Sequence, residues 1–321
     1  MESSIILKTE PSQDYELIDS GDGEKLERFG NVVLVRPDPQ AIWNKKASEE
    51  KWSAATAKFV QSSKAGRWVF GQPKSDSADS INDWSIKIGQ INFMLGLSSF
   101  KHTGIFPEQS PNWDWIIETI KSASANGAKI SVLNLFGYTG GASLAAAMAG
   151  AEVCHVDGSK VSIARAKKNA EISGLSSAPI RFILDDALAF VEREARRGKY
   201  YDAIIMDPPA FGRGPDGEVW KIEKSLPKLM EACKKILSPN PLFVLINGYA
   251  AGYSPVAYVN ILSSLISGSS ISGDQSSDQA TAQSSEKIEF GELAIMESNK
   301  DSVAGRLLPA GIFARFRRNR A

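Results

Sequence analysis

The central part of the chain alternates short apolar segments with longer segments of helical spacing, and this alternation constrains the fold more than any other feature. The apolar segments are residues 130–136, 152–157, 180–184, 203–207 and 242–247. The helical segments are residues 113–125, 141–149, 159–173, 187–197 and 224–237. Strands that alternate with helices form βαβ units, whose right-handed crossovers give a parallel sheet with helices on both faces. We therefore predict a doubly wound, Rossmann-like α/β sheet.

The region before this alternation predicts a smaller unit. Apolar and alternating patterns typical of strands occur at residues 31–36, 68–70 and 84–95. We therefore expect a small β-rich α+β domain over residues 14–110, with a Ser/Asp-rich loop at 74–83. Residues 1–13 are polar, and we expect a flexible tail there.

The region after the alternation predicts the end of the larger domain, which we place over residues 111–321. Residues 288–297 and 311–317 read as two closing strands. Between the helical segments and these strands, residues 267–285 are dominated by Ser, Gly, Asp and Gln. Such a composition predicts a low-complexity loop within the domain.

Composition excludes several classes of protein. Lys plus Arg number 37 and Asp plus Glu number 37, so a strongly basic nucleic-acid coat protein is excluded, although a local basic patch is not. Cys154, Cys233, His102 and His155 are scattered and form no CxxC pair, so we expect no metal site. The chain has few cysteines and no visible targeting signal, which indicates a cytoplasmic protein. Glycines and prolines interrupt its uncharged stretches, so we expect no membrane span.

The turn after the first predicted strand is the first candidate ligand site, because ligands of open α/β sheets bind at the carboxyl ends of the strands. Glycines in such a turn let the backbone approach a ligand closely. The dinucleotide fingerprint GxGxxG fails here, since Thr139 stands at the second glycine position. The alternative is a tight strand–helix turn with no ligand. The candidate residues are Asn134, Phe136, Gly137, Tyr138, Thr139, Gly140 and Gly141.

Acidic residues end the second and third predicted strands. Asp157, followed by Gly158 and Ser159, can accept hydrogen bonds from both hydroxyls of a ribose. The alternative for Asp157 is a cap for the helix that follows. After the third strand, Asp185 and Asp186 precede Ala187. We expect one of these carboxylates to accept from an adenine amine and the other to cap the next helix, and we choose Asp186 for the ligand.

The fourth predicted strand ends in Asp-Pro-Pro-Ala-Phe-Gly, residues 207–212. Pro208 and Pro209 stiffen this loop and remove two N–H donors, which leaves carbonyl oxygens and the Asp207 carboxylate at the edge of the sheet. Phe211 offers a face to a planar base. We predict Asp207, Pro208, Pro209 and Phe211 as the catalytic residues, and a rigid turn without a catalytic role is the alternative.

These motifs resemble the class I S-adenosylmethionine (SAM)-dependent methyltransferases. They are most similar to the group that methylates the 23S RNA of the large ribosomal subunit. The upstream segment 101–109, KHTGIFPEQ, is similar to that group's TG-x-F-x-D-Q segment, with Glu108 in place of the usual Asp. The resemblance covers residues 84–249 and implies a mostly parallel sheet whose last strand is antiparallel.

The resemblance also implies roles for the candidate residues. The turn at 136–141 is expected to hold the methionine part of SAM, Asp157 the ribose, and Asp186 with Ala187 the adenine. Asp207 and Pro208 are expected to border the transferred methyl group. Phe106 and Gln109 are expected to close over the cofactor.

The acceptor determines the mechanism. Methylation of cytosine C5 needs a thiolate that adds to the ring first, and members of the group that make 5-methylcytosine are expected to have a cysteine after the fifth strand. Residues 246–250 read INGYA, without a cysteine. A nitrogen acceptor is therefore favoured over cytosine C5.

The expected partner is RNA, and ribosomal RNA first. Four tryptophans of the smaller domain, Trp43, Trp52, Trp68 and Trp84, could stack on bases, although most are expected in the core. Positive charges near the end of the chain could contact phosphates or form a solvated tail. They are Arg306, Arg315, Arg317, Arg318 and Arg320. The alternative functions are a methyltransferase for a small molecule or protein, a non-catalytic RNA-binding protein and, ranked last, a nicotinamide enzyme. The sequence does not indicate the oligomeric state.

Overall fold

The computed structural model describes residues 3–61, 66–71, 83–98, 101–214, 217–249, 252–266, 286–298 and 305–318. The strands are β1 Ile5–Thr9, β2 Tyr15–Gly21, β3 Glu24–Phe29, β4 Val32–Pro37, β5 Ala57–Gln61, β6 Gly66–Phe70, β7 Trp84–Ile88, β8 Ile91–Leu95, β9 Ser131–Leu135, β10 Glu152–Asp157, β11 Ile180–Leu184, β12 Ala203–Met206, β13 Phe211–Arg213, β14 Val219–Lys221, β15 Phe243–Gly248, β16 Glu286–Met296 and β17 Leu307–Arg318. The helices are α1 Glu49–Ser53, α2 Ser110–Ala123, α3 Gly141–Met148, α4 Lys160–Ile172, α5 Ala187–Arg196, α6 Ile222–Lys234 and α7 Pro255–Ile266, and a 3-10 turn, Pro107–Gln109, precedes α2.

The main sheet has eight strands in the order β1-β16-β17-β15-β12-β9-β10-β11. From β15 to β11 the neighbouring strands are parallel, whereas β17 runs antiparallel to both β15 and β16. The strand order reverses between β9 and β12, which places a crevice at their carboxyl ends. The predicted doubly wound sheet with an antiparallel last strand is confirmed.

The central strands are buried on both faces because their successive side chains point to opposite sides of the sheet. On β12, Ile205 belongs to one apolar core and Ile204 to another. The first core includes residues of α2 and α3, and the second includes residues of α5, α6 and α7. This two-layered burial explains why the strands are apolar throughout rather than alternating.

The N-terminal region forms a five-stranded sheet, β2-β3-β4-β5-β6, and a separate hairpin of β7 and β8. Tyr15 and Phe29 of this region belong to the same apolar core as the helices on one face of the main sheet. The hairpin is fixed to α4, since Asn169 Oδ1 accepts from the Met94 amide at 2.7 Å. The β-rich region is therefore packed against the larger unit, and the boundary near residue 110 stays a prediction.

The beginning of the chain differs from the expected flexible tail over residues 1–13. Ile5–Thr9 forms β1, which pairs in parallel with β16 at the edge of the main sheet. Ile5 and Leu7 pack against the core, and Thr9 Oγ1 donates to the Pro107 carbonyl at 3.1 Å. The strand covers backbone groups of β16 that would otherwise be an open edge. The predicted loop 267–285 lies outside the described residues, as does 74–82 of the other predicted loop.

Candidate functional site

A cavity of about 870 Å³ opens at the carboxyl ends of the parallel strands. Residues of the N-terminal sheet and of β16 and β17 also line it. The lining includes many of the residues singled out in the sequence: Phe106, Phe136, Tyr138, Asp157, Gly158, Ser159, Asp186, Ala187, Asp207, Pro208 and Pro209. The predicted strand-end motifs are thus brought together around one space.

The turn between β9 and α3 has an uncommon backbone. Phe136 and Tyr138 have positive φ angles of 57° and 49°, and Gly140 has a φ of 99°. Only glycine adopts this region freely, so the two aromatic residues are held there by their surroundings. A Cβ at Gly137 would lie 2.4 Å from Cε1 of His155, and one at Gly141 would lie 2.4 Å from the Trp113 ring. Close packing therefore requires both glycines.

Thr139 holds this turn in place and does not line the cavity. Its Oγ1 donates to the Gly104 carbonyl at 2.7 Å, and its own carbonyl accepts from Asn169 Nδ2 at 2.9 Å. The turn is thereby tied to the segment before α2 and to α4. Asn169 was not singled out in the sequence, because a buried Asn within a helix carries no local signal.

Asn134 was predicted to bind the cofactor, but its side chain lies in the interior. Asn134 Nδ2 donates to Ser143 Oγ at 2.9 Å, and Ser143 Oγ lies 2.9 Å from His155 Nδ1. Burial lowers the pKa of His155 to about 4, so the imidazole under the turn is neutral. The network supports the turn from below rather than contacting the cavity.

The two carboxylate oxygens of Asp157 accept hydrogen bonds from two backbone amides. Tyr138 N donates to Oδ2 and Ser159 N donates to Oδ1, both at 2.8 Å. The cap of α4 is Ser159, whose Oγ accepts from Ser162 N at 3.2 Å, so the capping alternative for Asp157 is not what the structure has. Burial raises the pKa of Asp157 despite these amides.

Asp185 and Asp186 both line the cavity, but their other contacts differ from the predicted division of roles. Asp186, chosen for the ligand, caps α5 by accepting from Ala189 N at 2.9 Å through Oδ1. Asp185 forms an ion pair with Arg193. Asp186, the residue chosen for the ligand, is therefore also the residue that caps α5.

Asp207 directly follows β12 and lies partly buried beside Gln109. Gln109 Nε2 lies 3.3 Å from Asp207 Oδ2 and 3.0 Å from the Tyr249 hydroxyl, and it donates to both. Burial, and then the charge of Glu108, raises the pKa of Asp207 to about 7. Trp220 Nε1 donates to the Pro209 carbonyl at 2.6 Å, whereas the Pro208 carbonyl has no hydrogen bond within the described ranges.

Phe106 is the centre of an aromatic cluster on the cavity wall. Its ring centroid lies 5.3 Å from that of His102, 5.4 Å from that of Tyr138 and 5.2 Å from that of Tyr249. Tyr249 was not singled out in the sequence, because its contacts with Phe106 and Gln109 join distant parts of the chain. The cluster joins the turn between β9 and α3 to the residue that follows β15.

Comparison with known proteins identifies the class of this site. The sequence model of a family described as S-adenosylmethionine-dependent methyltransferase matches residues 39–253. The chain belongs to this family. A crystal structure of a SAM-dependent methyltransferase from Agrobacterium tumefaciens is 38% identical, with a TM-score of 0.85 over 98% of this chain and 94% of that chain. A candidate SAM-dependent methyltransferase from Streptococcus mutans, 20% identical with a TM-score of 0.64 over 95% of this chain and 75% of that one, shares the fold.

The curated relatives are similar over part of their length. The ribosomal RNA large subunit methyltransferase K/L of Shewanella frigidimarina is 32% identical over 157 residues, which are 48% of this chain and 21% of the relative. The ribosomal RNA large subunit methyltransferase K of Neisseria meningitidis is 23% identical over 231 residues, 71% of this chain and 63% of the relative. The match thus spans about a fifth of the K/L relative.

The cavity of this methyltransferase fits SAM. Phe136, Val156 and Ala187 provide apolar surface at the β10–β11 side, and the Asp157 carboxylate lies beside them. Adenosine presents an apolar ring face and two ribose hydroxyls, so it needs this combination. SAM is the cofactor of the family, and the observed lining accommodates it.

Phe211 does not line the cavity, although its neighbours Gly212 and Arg213 do. Phe211 begins β13, which pairs only with β14, and its side chain is 57% exposed. The Ile222 amide donates to the Ala210 carbonyl at 3.1 Å and closes the base of this hairpin. The hairpin carries the ring to the surface, so a catalytic contact of Phe211 is not supported.

Two of the arginines expected to contact phosphates are internal. Arg306 forms ion pairs with Asp19 and Glu297, and Arg315 forms one with Glu289. Both lie within or next to β17 rather than in a solvated tail. Arg320 lies outside the described residues.

The tryptophans of the β-rich region also serve the fold. Trp43, Trp52, Trp68 and Trp84 each donate their indole N–H to a protein oxygen. Their polar edges are therefore occupied, in agreement with the core alternative.

No helix within the described ranges is long and apolar enough to cross a membrane. Among the same residues, no group of three or more His, Cys, Asp or Glu side chains could hold a metal ion.

Proposed function

We propose that this methyltransferase transfers the methyl group of SAM to a base nitrogen of ribosomal RNA. The names of the curated relatives support the RNA substrate. The observation that carries the chemistry is the partly buried Asp207 carboxylate, which shares the donor Gln109 Nε2 with the Tyr249 hydroxyl. This arrangement provides an aromatic surface and a hydrogen-bond acceptor in one cavity.

Cofactor binding is assigned to the residues around Asp157. After its two amide contacts, the Asp157 carboxylate retains lone pairs for ribose hydroxyls. Asp186 Oδ1 caps α5, which leaves Oδ2 for the adenine amine next to Ala187. The turn from Phe136 to Gly140 holds the methionine part, and Gln109 and Phe106 cover the reacting end.

The acceptor base lies against Phe106 and Tyr249, which orient a planar ring. Its N–H groups donate to Asp207 Oδ1 and to the Pro208 carbonyl, neither of which has another hydrogen bond within the described ranges. Bound SAM would supply a methyl group already activated by its sulfonium, with the neutral thioether S-adenosylhomocysteine as the leaving group. The nitrogen lone pair forms the new bond to carbon, and Asp207 accepts the proton that the nitrogen then releases.

A nitrogen acceptor is supported by the placement of the thiols. Cys154 lies within β10 and Cys233 within α6; both are buried, and neither lines the cavity. Burial raises the pKa of both thiols, that of Cys233 to about 12. A thiolate that adds to cytosine must be ionised and must reach the base, and these two cysteines meet neither requirement.

Transfer of labelled methyl from SAM to unmodified ribosomal RNA, followed by nucleoside digestion, tests the proposal. Label in an N-methylated nucleoside is the expected result. Label in 5-methylcytosine would contradict the assignment to nitrogen. An unlabelled RNA with intact SAM binding would favour a small-molecule or protein acceptor, and failure to bind SAM would favour a non-catalytic RNA-binding protein.

A further inference from the structure

The cavity extends beyond the space around Asp157 and Asp207 into a second region, here called the distal lobe. Its lining comes from β3, β4 and the segment before α2, and it includes Lys25, Arg36, Asp38, Lys101 and His102. Asp157, Asp186 and the turn after β9, which are proposed to hold the ribose, adenine and methionine parts of SAM, lie at the carboxyl ends of β9, β10 and β11. The distal lobe is therefore available to the acceptor.

The basic residues of the distal lobe differ in their partners. Arg36 is buried and its NH2 lies 2.6 Å from Glu27 Oε2, while Lys25 Nζ lies 3.3 Å from Asp38 Oδ2. Lys101 Nζ donates to the Pro37 carbonyl at 3.3 Å and forms no ion pair within the described ranges. Three cations thus lie near three carboxyl groups, those of Glu27, Asp38 and Glu108, and Lys101 is the one of these cations that forms no ion pair within the described ranges.

The surroundings of Lys101 act on its pKa. Burial first, and then repulsion from Lys25 and Arg36, lowers the pKa of Lys101, against the attraction of Asp38 and Glu27. Arg36 NH1 also donates to the Lys101 carbonyl at 3.2 Å, which fixes the backbone beside the lobe. A half-buried ammonium group that lines the cavity and has no ion pair is suited to an anionic ligand.

The distal lobe is connected to Asp207 through rings. His102 contacts Phe106, Phe106 contacts Tyr249, and the Tyr249 hydroxyl shares the Gln109 donor with Asp207. A base held at Phe106 and Tyr249 therefore directs its sugar and phosphate either toward solvent or along this wall toward Lys101.

We propose that Lys101, backed by Lys25, binds a phosphate group of the acceptor nucleotide. The inference rests on the proposed function insofar as the acceptor is a nucleotide within RNA. It adds a contact outside the cofactor-binding residues, and it assigns the smaller β-rich region a direct part in acceptor binding.

The test compares nucleosides with their 5′-monophosphates on protein saturated with S-adenosylhomocysteine, which occupies the cofactor site. Calorimetric titration of the four ribonucleosides and their monophosphates gives the phosphate preference. We expect at least one monophosphate to bind about tenfold more tightly than its nucleoside, the effect of one charge-assisted contact. Lys101→Gln should abolish this preference, and Lys101→Arg should retain it.

Lys129→Gln is the matched control, because Lys129 lies before the amino end of β9, away from the carboxyl ends at which the cavity opens, and is exposed. Equal preferences in Lys101→Gln and Lys129→Gln, or no preference in the wild type, would overturn the inference. Retention by Lys101→Arg excludes misfolding as the cause of a loss. If ribosomal RNA is methylated and no phosphate preference exists, only this inference fails. If the preference exists and RNA is not methylated, only the proposed substrate fails.

Discussion

Gly137 lies against the imidazole of His155, with space for a hydrogen atom but not for a methyl group. A Cβ at Gly137 would fall 2.4 Å from His155 Cε1 and 2.5 Å from Nδ1. The imidazole cannot move away freely, because Nδ1 is hydrogen-bonded to Ser143 Oγ and the ring is fully buried. The position of the turn between β9 and α3 is therefore set by His155, a buried residue that does not line the cavity.

Gly137→Ala should weaken SAM binding more than it lowers stability. The added methyl group must push the turn toward the cavity, since the side opposite is blocked by the His155 ring. We expect at least a tenfold loss of SAM affinity by calorimetry, equal to about 1.4 kcal/mol. The control is Gly174→Ala, where φ is +74° and nothing lies within 4 Å of the added methyl group. That variant should lose about 1 kcal/mol of stability without a change in SAM affinity.

Combining Gly137→Ala with His155→Ala distinguishes this explanation from a general loss of structure. Removing the imidazole gives the methyl group room, so the double variant should bind SAM more tightly than Gly137→Ala alone. Independent, additive losses in the two single variants would show that the contact between these residues does not determine the turn.

Asp157→Ala should abolish SAM binding. The variant removes the acceptor of the Tyr138 and Ser159 amides as well as the carboxylate assigned to the ribose. Asp157→Asn keeps the size but retains one acceptor oxygen, and we expect an affinity between those of Asp157→Ala and the wild type. Glu152→Gln, at the opposite end of β10, serves as the control. An unaltered SAM affinity in Asp157→Ala would show that the ribose site is placed wrongly.

The sheet could be predicted from the sequence because its signals are local. The apolar run of β12 and the Ala-rich α3 have the lengths and patterns of their elements, and the βαβ order then fixes a parallel sheet. Strand β1 could not be predicted in this way. Its five residues include Lys8 and follow a polar start, and they become a strand only because β16, almost 300 residues later, offers an edge.

The placement of a residue at the cavity was predictable where it follows from a strand end, as for Asp157 and Asp207. It was not predictable where the role depends on side-chain direction. Asn134 belongs to the same motif as Phe136, yet it points into the core toward Ser143. The interaction of Tyr249 with Gln109 joins residues 140 positions apart, and no local pattern reports it.

Methyl transfer should depend on the ionisation of Asp207. The carboxylate form is needed to accept the proton, and burial raises its pKa to about 7. The value of kcat/KM should therefore rise as the pH increases through about 7 and level off above it. Asp207→Asn should lower kcat by roughly 10²- to 10⁴-fold, the range for loss of a general base, and remove this pH dependence. A pH profile that is unchanged in Asp207→Asn would assign the ionisation to another group.

Glu108→Gln should shift the pH dependence of kcat/KM that Asp207 causes. The charge of Glu108 contributes to the raised pKa of Asp207. Neutralising Glu108 should therefore move the rise in kcat/KM to lower pH without removing it. A shift to higher pH would contradict the repulsion between these two carboxylates.

Arg306 should determine stability, whereas Arg317 should not. The Arg306 guanidinium donates to Asp19 Oδ1 at 2.7 Å and to the Ser20 carbonyl at 2.6 Å, and its NH2 lies 2.9 Å from Glu297 Oε1. Arg306→Ala leaves two buried carboxylates unpaired and should cost about 3 kcal/mol, by the usual effect of breaking a buried ion pair. Arg317→Ala on β17 should change stability by less than about 0.5 kcal/mol, as at most surface positions. Urea unfolding midpoints measure both, and equal losses in the two variants would show that the arginines of this region act through their total charge rather than through the buried network.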